Sequence, residues 1–144
     1  DALLDAATTD YLCLHIYFVR ILHHTNSLGG SMSTTITRDE LWAAIDAGEA
    51  TVIETLGPMY FADQHLPGAI NLPHTDVVQV AGDLLPDRDA LVVTYCSNAS
   101  CQNSDIAANQ LVAMGYTNVR RDVEGKQDWT DAGLPVESQA RSAV

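Results

Sequence analysis

Positive charge is scarce in this sequence. Seven lysines and arginines stand against 19 aspartates and glutamates, for a formal net charge of −12 over 144 residues. That balance argues against nucleic acid and anionic membrane surfaces as partners, because contacts to phosphate need clustered cations. It also sets an unfavourable field for any small anionic substrate. Cysteine is scarce too: only Cys13, Cys96 and Cys101 occur. An odd and low count does not make a disulfide scaffold, and a reducing, cytoplasmic setting fits better. Long apolar runs are missing. The longest, residues 11–22, is interrupted by His15 and Arg20 and is shorter than the roughly 20 residues a membrane helix needs. The first residues are acidic, so they do not read as the basic start of a secretory signal. There is no internal repeat and no low-complexity tract. Neither a metal nor a cofactor is expected.

What is present suffices for one domain. Hydrophobic residues make up 47% of the chain, enough to build a core, and nothing in the composition points to disorder or fibre. The chain divides at Gly29-Gly30-Ser31, a flexible linker sequence, followed by Met32. Residues 1–31 are therefore expected to be an appended helical segment with its linker, and residues 32–144 the domain. Residues 11–22 are apolar nearly all round as a helix, a pattern that needs a partner surface. Packing on the domain or self-association with another copy is the expected use.

Beyond the linker, strand and helix patterns alternate. Thr37 followed by Glu40 forms a capping box for a helix running to Ala47, stopped by Gly48. Residues 51–54 read as a short buried strand, 58–64 as a helical turn, 69–72 as a strand ended by Pro73, and 76–81 as helical. Residues 91–95, Leu-Val-Val-Thr-Tyr, form the strongest strand, apolar enough to be buried on both faces. A helix over 104–114, a strand over 118–121 and a helix over 127–132 follow. Short loops between alternating elements predict an α/β fold, a mainly parallel sheet with helices on both faces.

In such sheets chemistry sits beyond the carboxyl ends of the strands, and Cys96 lies directly after the strand that ends at Tyr95. Ser97, Asn98, Ala99, Ser100, Cys101, Gln102 and Asn103 follow before the next helix. Small polar residues let a loop curl with its N–H groups inward, and such a nest beside a helix start stabilises an anion. The expectation is a Cys96 thiolate of lowered pKa, the nucleophilic form, with residues 97–102 as its substrate-binding loop. Most cysteines simply pack; here the coincidence of strand end, polar loop and helix start favours reactivity.

Two further stretches matter. Residues 65–73, His-Leu-Pro-Gly-Ala-Ile-Asn-Leu-Pro, closely resemble the rhodanese segment G-H-I-P-G-A-I-N-I-P. Residues 124–129, Glu-Gly-Lys-Gln-Asp-Trp, with residues 132–136, Ala-Gly-Leu-Pro-Val, resemble the ending G-G-x-x-x-W…G-x-P-V of the same family. With Tyr95-Cys96 between them, the chain resembles a single-domain rhodanese from about residue 37 to 137. The resemblance implies a five-stranded parallel sheet flanked by helices, a catalytic cysteine at Cys96 and sulfurtransferase activity. Sulfane sulfur would pass through a Cys96 persulfide to a thiol or cyanide, from a small sulfur donor or a persulfide-bearing protein. His65 is expected to hold the turn at Pro67-Gly68, and Trp129 to cover the core.

The departures from the family concern charge. Many members carry an arginine or lysine in the cysteine loop, whereas residues 97–103 contain none. The usual D-V-R after the first strand reads Glu54-Thr55-Leu56, and the first glycine of the ending is Glu124, which would bring a carboxylate towards the pocket. These changes disfavour thiosulfate as donor unless Arg120, Arg121 or Lys126 faces the site. Phosphoryl transfer, which uses a loop closed by a bidentate arginine, is disfavoured by Gln102 near that place. Two other readings stay open: a non-catalytic rhodanese-type binding module, and a thiol redox sensor using Cys96 and Cys101. For Cys101, packing under the loop is put ahead of a resolving role, because such a loop tends to turn its side chains outward.

Overall fold

The computed structural model describes residues 33–139. The expectations for residues 1–31, including the helix over 11–22 and its self-association, lie outside the described residues. Five strands, β1 (Thr34–Thr35), β2 (Ala50–Glu54), β3 (Ile70–Asn71), β4 (Leu91–Tyr95) and β5 (Val119–Arg121), alternate with five helices, α1 (Arg38–Asp46), α2 (Pro58–Asp63), α3 (Val77–Leu84), α4 (Asn103–Ala113) and α5 (Gly125–Asp131). All strand pairings are parallel, in the order β1-β5-β4-β2-β3.

Alternation along the strands builds two cores. Ile53, Val92 and Val119 face α3 and α4, meeting Val77, Ala81, Ala107 and Leu111. Val52, Val93 and Tyr95 face the other way, meeting Leu41 of α1 and Trp129 of α5. Because both faces are covered, the central strands need apolar residues at successive positions, as residues 91–93 supply.

The capping box of α1 forms as the sequence predicts. Glu40 N–H donates to Thr37 Oγ1 at 3.2 Å, and Thr37 N–H to Glu40 Oε2 at 3.0 Å. Such a cap contributes about 1 kcal/mol. The sequence pattern gives four strands. The fifth, β1, is two exposed threonines at the sheet edge, too short to show a period of two; its pairing with β5 holds it in place.

Parallel topology brings the carboxyl ends of β2, β4 and β5 to one side. Glu54 lies beside Tyr95, and Thr94 beside Arg121.

Candidate active site

Cys96 is the first residue past β4 and is 1% exposed. The chain then turns: Asn98 O accepts from Cys101 N–H at 3.1 Å, and Asn98 Oδ1 from Ser100 N–H at 3.0 Å, the self-capping turn that asparagine favours. Asn98, Ala99, Ser100 and Gln102 are exposed, while Ser97 and Cys101 are half-buried.

The loop is held from behind by α5. Lys126 N–H donates to Cys96 O and Gln127 N–H to Ser97 O, both at 2.9 Å. This close approach depends on Gly125, whose φ is +72°. A Cβ there would stand 2.6 Å from Cys96 O and 3.0 Å from Asn98 N. Below, the single lysine of the chain, Lys126, reaches Glu54, which is fully buried at the end of β2. Lys126 Nζ donates to Glu54 Oε1 at 3.0 Å, to Tyr60 O at 3.1 Å and to Gln64 O at 2.5 Å. Tyr95 Oη donates to Glu54 Oε2 at 2.6 Å and accepts from Leu66 N–H. Burial, then the neighbouring Glu54 carboxylate, push the Tyr95 phenol well above its ordinary range.

Asp122 completes this rim and is nearly buried. Burial pushes its carboxyl up to about 6, helped by the Asp128 and Glu124 charges and opposed by the N–H groups of Gly125 and Glu124. Glu124 itself is exposed and does not line the cleft described below, contrary to the expectation from sequence.

On the α4 side the groups gather around sulfur. Cys96 Sγ donates to Cys101 O at 3.3 Å, and the Cys101 thiol and the N–H and hydroxyl of Ser104 stand close enough to shift its titration. Arg121 Nε donates to Ser104 Oγ at 3.1 Å, so the Ser104 hydroxyl proton is left for sulfur; Arg121 also pairs with Asp105 at 3.5 Å. Thr94 Oγ1 donates to Ser104 O, fixing the helix start.

Two expectations need correcting here. Among the described residues no non-glycine has positive φ, and the loop has no glycine, so the right-left alternation that aims successive N–H groups at one point is missing. Burial, then the hydrogen bond to Cys101, push the Cys96 thiol above its ordinary value, not below it. Cys101 takes the favoured place. Burial opposes its thiolate, but the bond from the Cys96 thiol and the N–H groups of Asn103 and Ser97 outweigh burial and hold Cys101 below its ordinary value. Its side chain points in towards Cys96, not outward from the loop.

An open cleft of about 200 Å³ adjoins Ser97, walled by Leu56, Tyr60, Asp63, Gln64, Lys126, Gln127 and Thr130. Lys126 is the only cation among these, and its three protons are engaged. Arg121 lies under the loop instead, and Arg120 has a buried Nε without a partner. His65 acts as a structural clamp: Nδ1 bonds Phe61 O at 2.7 Å, the ring stacks on Phe61 at 3.9 Å, and Nε2 lies 3.5 Å from Glu137. Trp129 is buried in the core, its indole N–H donating to Pro135 O. Sequence reasoning missed the Glu54–Tyr95 pair and Ser104. A carboxylate ending an otherwise apolar strand, in a chain with one lysine, was the available signal for the first. Among the described residues no group of His, Cys, Asp and Glu is arranged to hold a metal, and no helix is long and apolar enough to cross a membrane.

Comparison with known proteins agrees with this architecture. The model of the Rhodanese-like domain matches residues 37–132. An HTH-type transcriptional regulator of Mycobacterium tuberculosis is 35% identical over 77% of this chain and 48% of its own length. The thiosulfate sulfurtransferase PspE of Escherichia coli is 36% identical over 46% of this chain and 62% of its own. The chain thus spans about half to three fifths of these relatives. The crystal structure of a thiosulfate sulfurtransferase from Pseudomonas aeruginosa superposes with a TM-score of 0.66 at 26% identity, covering 74% of this chain and 20% of that one. With the family model covering two thirds of the sequence and the five-stranded parallel sheet in place, the chain belongs to the rhodanese family.

Proposed function

We propose that this chain is a sulfurtransferase that carries sulfane sulfur as a persulfide on Cys96 and delivers it to a thiol or to cyanide. The observation that carries this reading is the position of Cys96 at the carboxyl end of the central strand β4, in a loop clasped by α5 and beside an open cleft. The thiosulfate sulfurtransferases among its relatives support the same chemistry.

The favoured donor is a persulfide, on a small thiol or on a protein, and thiosulfate is a poor one. The cleft offers Leu56 where the family's arginine is usual, an Asp63 carboxylate, and a lysine whose protons are spent on Glu54, Tyr60 and Gln64. A dianion entering it meets the field of a chain of charge −12.

Thiocyanate formation from cyanide, measured with each donor, tests both statements. The wild type should turn over faster with a small persulfide than with thiosulfate. Thiosulfate kcat/KM should rise with ionic strength, because salt screens repulsion. Cys96→Ser should fall to the rate without protein. Full turnover by Cys96→Ser sinks the sulfurtransferase reading. A low thiosulfate KM indifferent to salt sinks the donor preference.

One observation favours a second reading. The similarity to a transcriptional regulator, with Cys101 turned towards Cys96, fits a module that senses sulfane sulfur or oxidant once per reduction cycle. Multiple turnovers in the same assay exclude it as the whole function.

A further inference from the structure

Cys101 belongs to neither hydrophobic cluster. Its neighbours are the thiol of Cys96, the N–H groups of Ser97 and Asn103 and the Ser97 hydroxyl. A cysteine that merely fills space meets apolar atoms alone; this one also meets hydrogen-bond donors and a second thiol. Cys96 Sγ also lies 3.3 Å from the Cys101 carbonyl oxygen, so the chain has already folded back far enough to bring residues five apart together. The turn closed by Asn98 does this without any positive φ.

We infer that Cys101 is a resolving thiol that discharges the Cys96 persulfide as hydrosulfide and leaves a Cys96–Cys101 disulfide. The inference rests on the sulfurtransferase reading, since it needs the persulfide to form. The step balances as thiol–disulfide exchange. The Cys101 thiolate attacks Cys96 Sγ, the inner sulfur, forming the new S–S bond. The bond from Cys96 Sγ to the outer sulfur breaks, and its electron pair leaves with that sulfur as HS⁻. The sulfane sulfur is reduced by two electrons and the two cysteines are oxidised by two. An external dithiol then reopens the disulfide, taking up the oxidation as its own disulfide, and the site is reset. Attack at the inner sulfur is favoured because the folded-back loop already holds Cys101 against Cys96 Sγ, whose distance to the Cys101 carbonyl oxygen is 3.3 Å. Once Cys96 carries the persulfide its Sγ has no proton to donate, and the N–H groups of Asn103 and Ser97 remain to favour the Cys101 thiolate. With this step the chain becomes a dithiol-dependent producer of sulfide, and a bound acceptor in the cleft competes with Cys101 for the same persulfide.

The test uses the full chain, reduced, desalted and kept free of air, given one equivalent of a small-molecule persulfide without cyanide or reductant. Hydrosulfide release and peptide mass are followed. No lysine or arginine lies between Arg88 and Arg120, so trypsin leaves both cysteines on one peptide, separate from Cys13. The wild type should release one equivalent of hydrosulfide, and this peptide should become two hydrogens lighter. Cys101→Ser and Cys101→Ala should lose that release and retain one added sulfur atom on Cys96. Three results overturn the inference: a wild type that keeps the persulfide on Cys96, a persulfide found on Cys101, or a Cys101→Ser protein that releases hydrosulfide as the wild type does. If neither Cys101 variant takes up sulfur at Cys96, the sulfurtransferase reading fails first, and this one with it.

Discussion

On the α5 flank of the Cys96 loop, the polar groups have protein partners before any substrate arrives, whereas on the α4 flank they converge on sulfur. Lys126 is spent on Glu54 and two carbonyls, and the N–H groups of Lys126 and Gln127 on Cys96 and Ser97. Across the loop, the hydroxyl of Ser104 and the thiol of Cys101 both meet Cys96 Sγ. The flank holding the chain's only lysine serves as frame, and the flank where a hydroxyl and a thiol reach the sulfur is left for chemistry. Scarce positive charge has gone into holding the loop still rather than into binding an anion.

Substitutions that leave Glu54 alone should have the largest effect on this division. In Lys126→Met the fully buried carboxylate loses its cation, and breaking such a pair typically costs about 3–5 kcal/mol. Chemical denaturation should show a loss of about 3 kcal/mol; a change below about 1 kcal/mol would mean that the frame does not depend on this ion pair. Gly125→Ala comes next. Its Cβ meets Cys96 O at 2.6 Å and its φ of +72° is strained for alanine, so stability should drop by about 2 kcal/mol. Sulfur loading at Cys96 should fall with it, because the loop must shift. An alanine variant that loads sulfur like the wild type would show that the clasp is not needed.

Asp122 tests the frame by pH. Its folded pKa of about 6 lies above the unfolded value of about 3.9. The associated stability is present below about pH 4 and is lost as pH rises through about 6, a difference on the order of 3 kcal/mol. Asp122→Asn should remove that fall, so the variant gains on the wild type between pH 4 and 7 in paired denaturation curves. A constant difference across this range would contradict it. The smallest effect is on the other flank. Ser104→Ala removes a hydroxyl donor to Cys96 Sγ and should slow alkylation of Cys96, read by peptide mapping, by a few-fold, about 1 kcal/mol, with little change in unfolding. A large loss of stability instead would move Ser104 into the frame.

How much of this could be read in advance follows from where the information lies along the chain. The α1 cap is written in Thr37 and Glu40, three residues apart, and β4 in five successive residues, so both were legible. The family motifs around Pro67-Gly68 and Trp129 placed the fold. The loop's interior was not legible. Whether Cys101 faces in or out depends on backbone angles at each loop residue and on Gly125 pressing from behind, some two dozen positions away. Glu54 and Lys126 are 72 residues apart, and only the parallel sheet brings them together. The two-residue β1 gave no periodic signal, since its threonines are exposed and its partner is β5, far along the chain.

Those short outer strands carry a consequence for how copies of the domain meet. Both borders of the sheet, Thr34–Thr35 and Ile70–Asn71, are two residues long, so little unpaired main chain is offered to another sheet. Long flat borders recruit strands from neighbouring molecules and seed aggregates. A border of two residues gives such a template almost no length to grip, so this sheet resists edge-to-edge association even when the domain is concentrated.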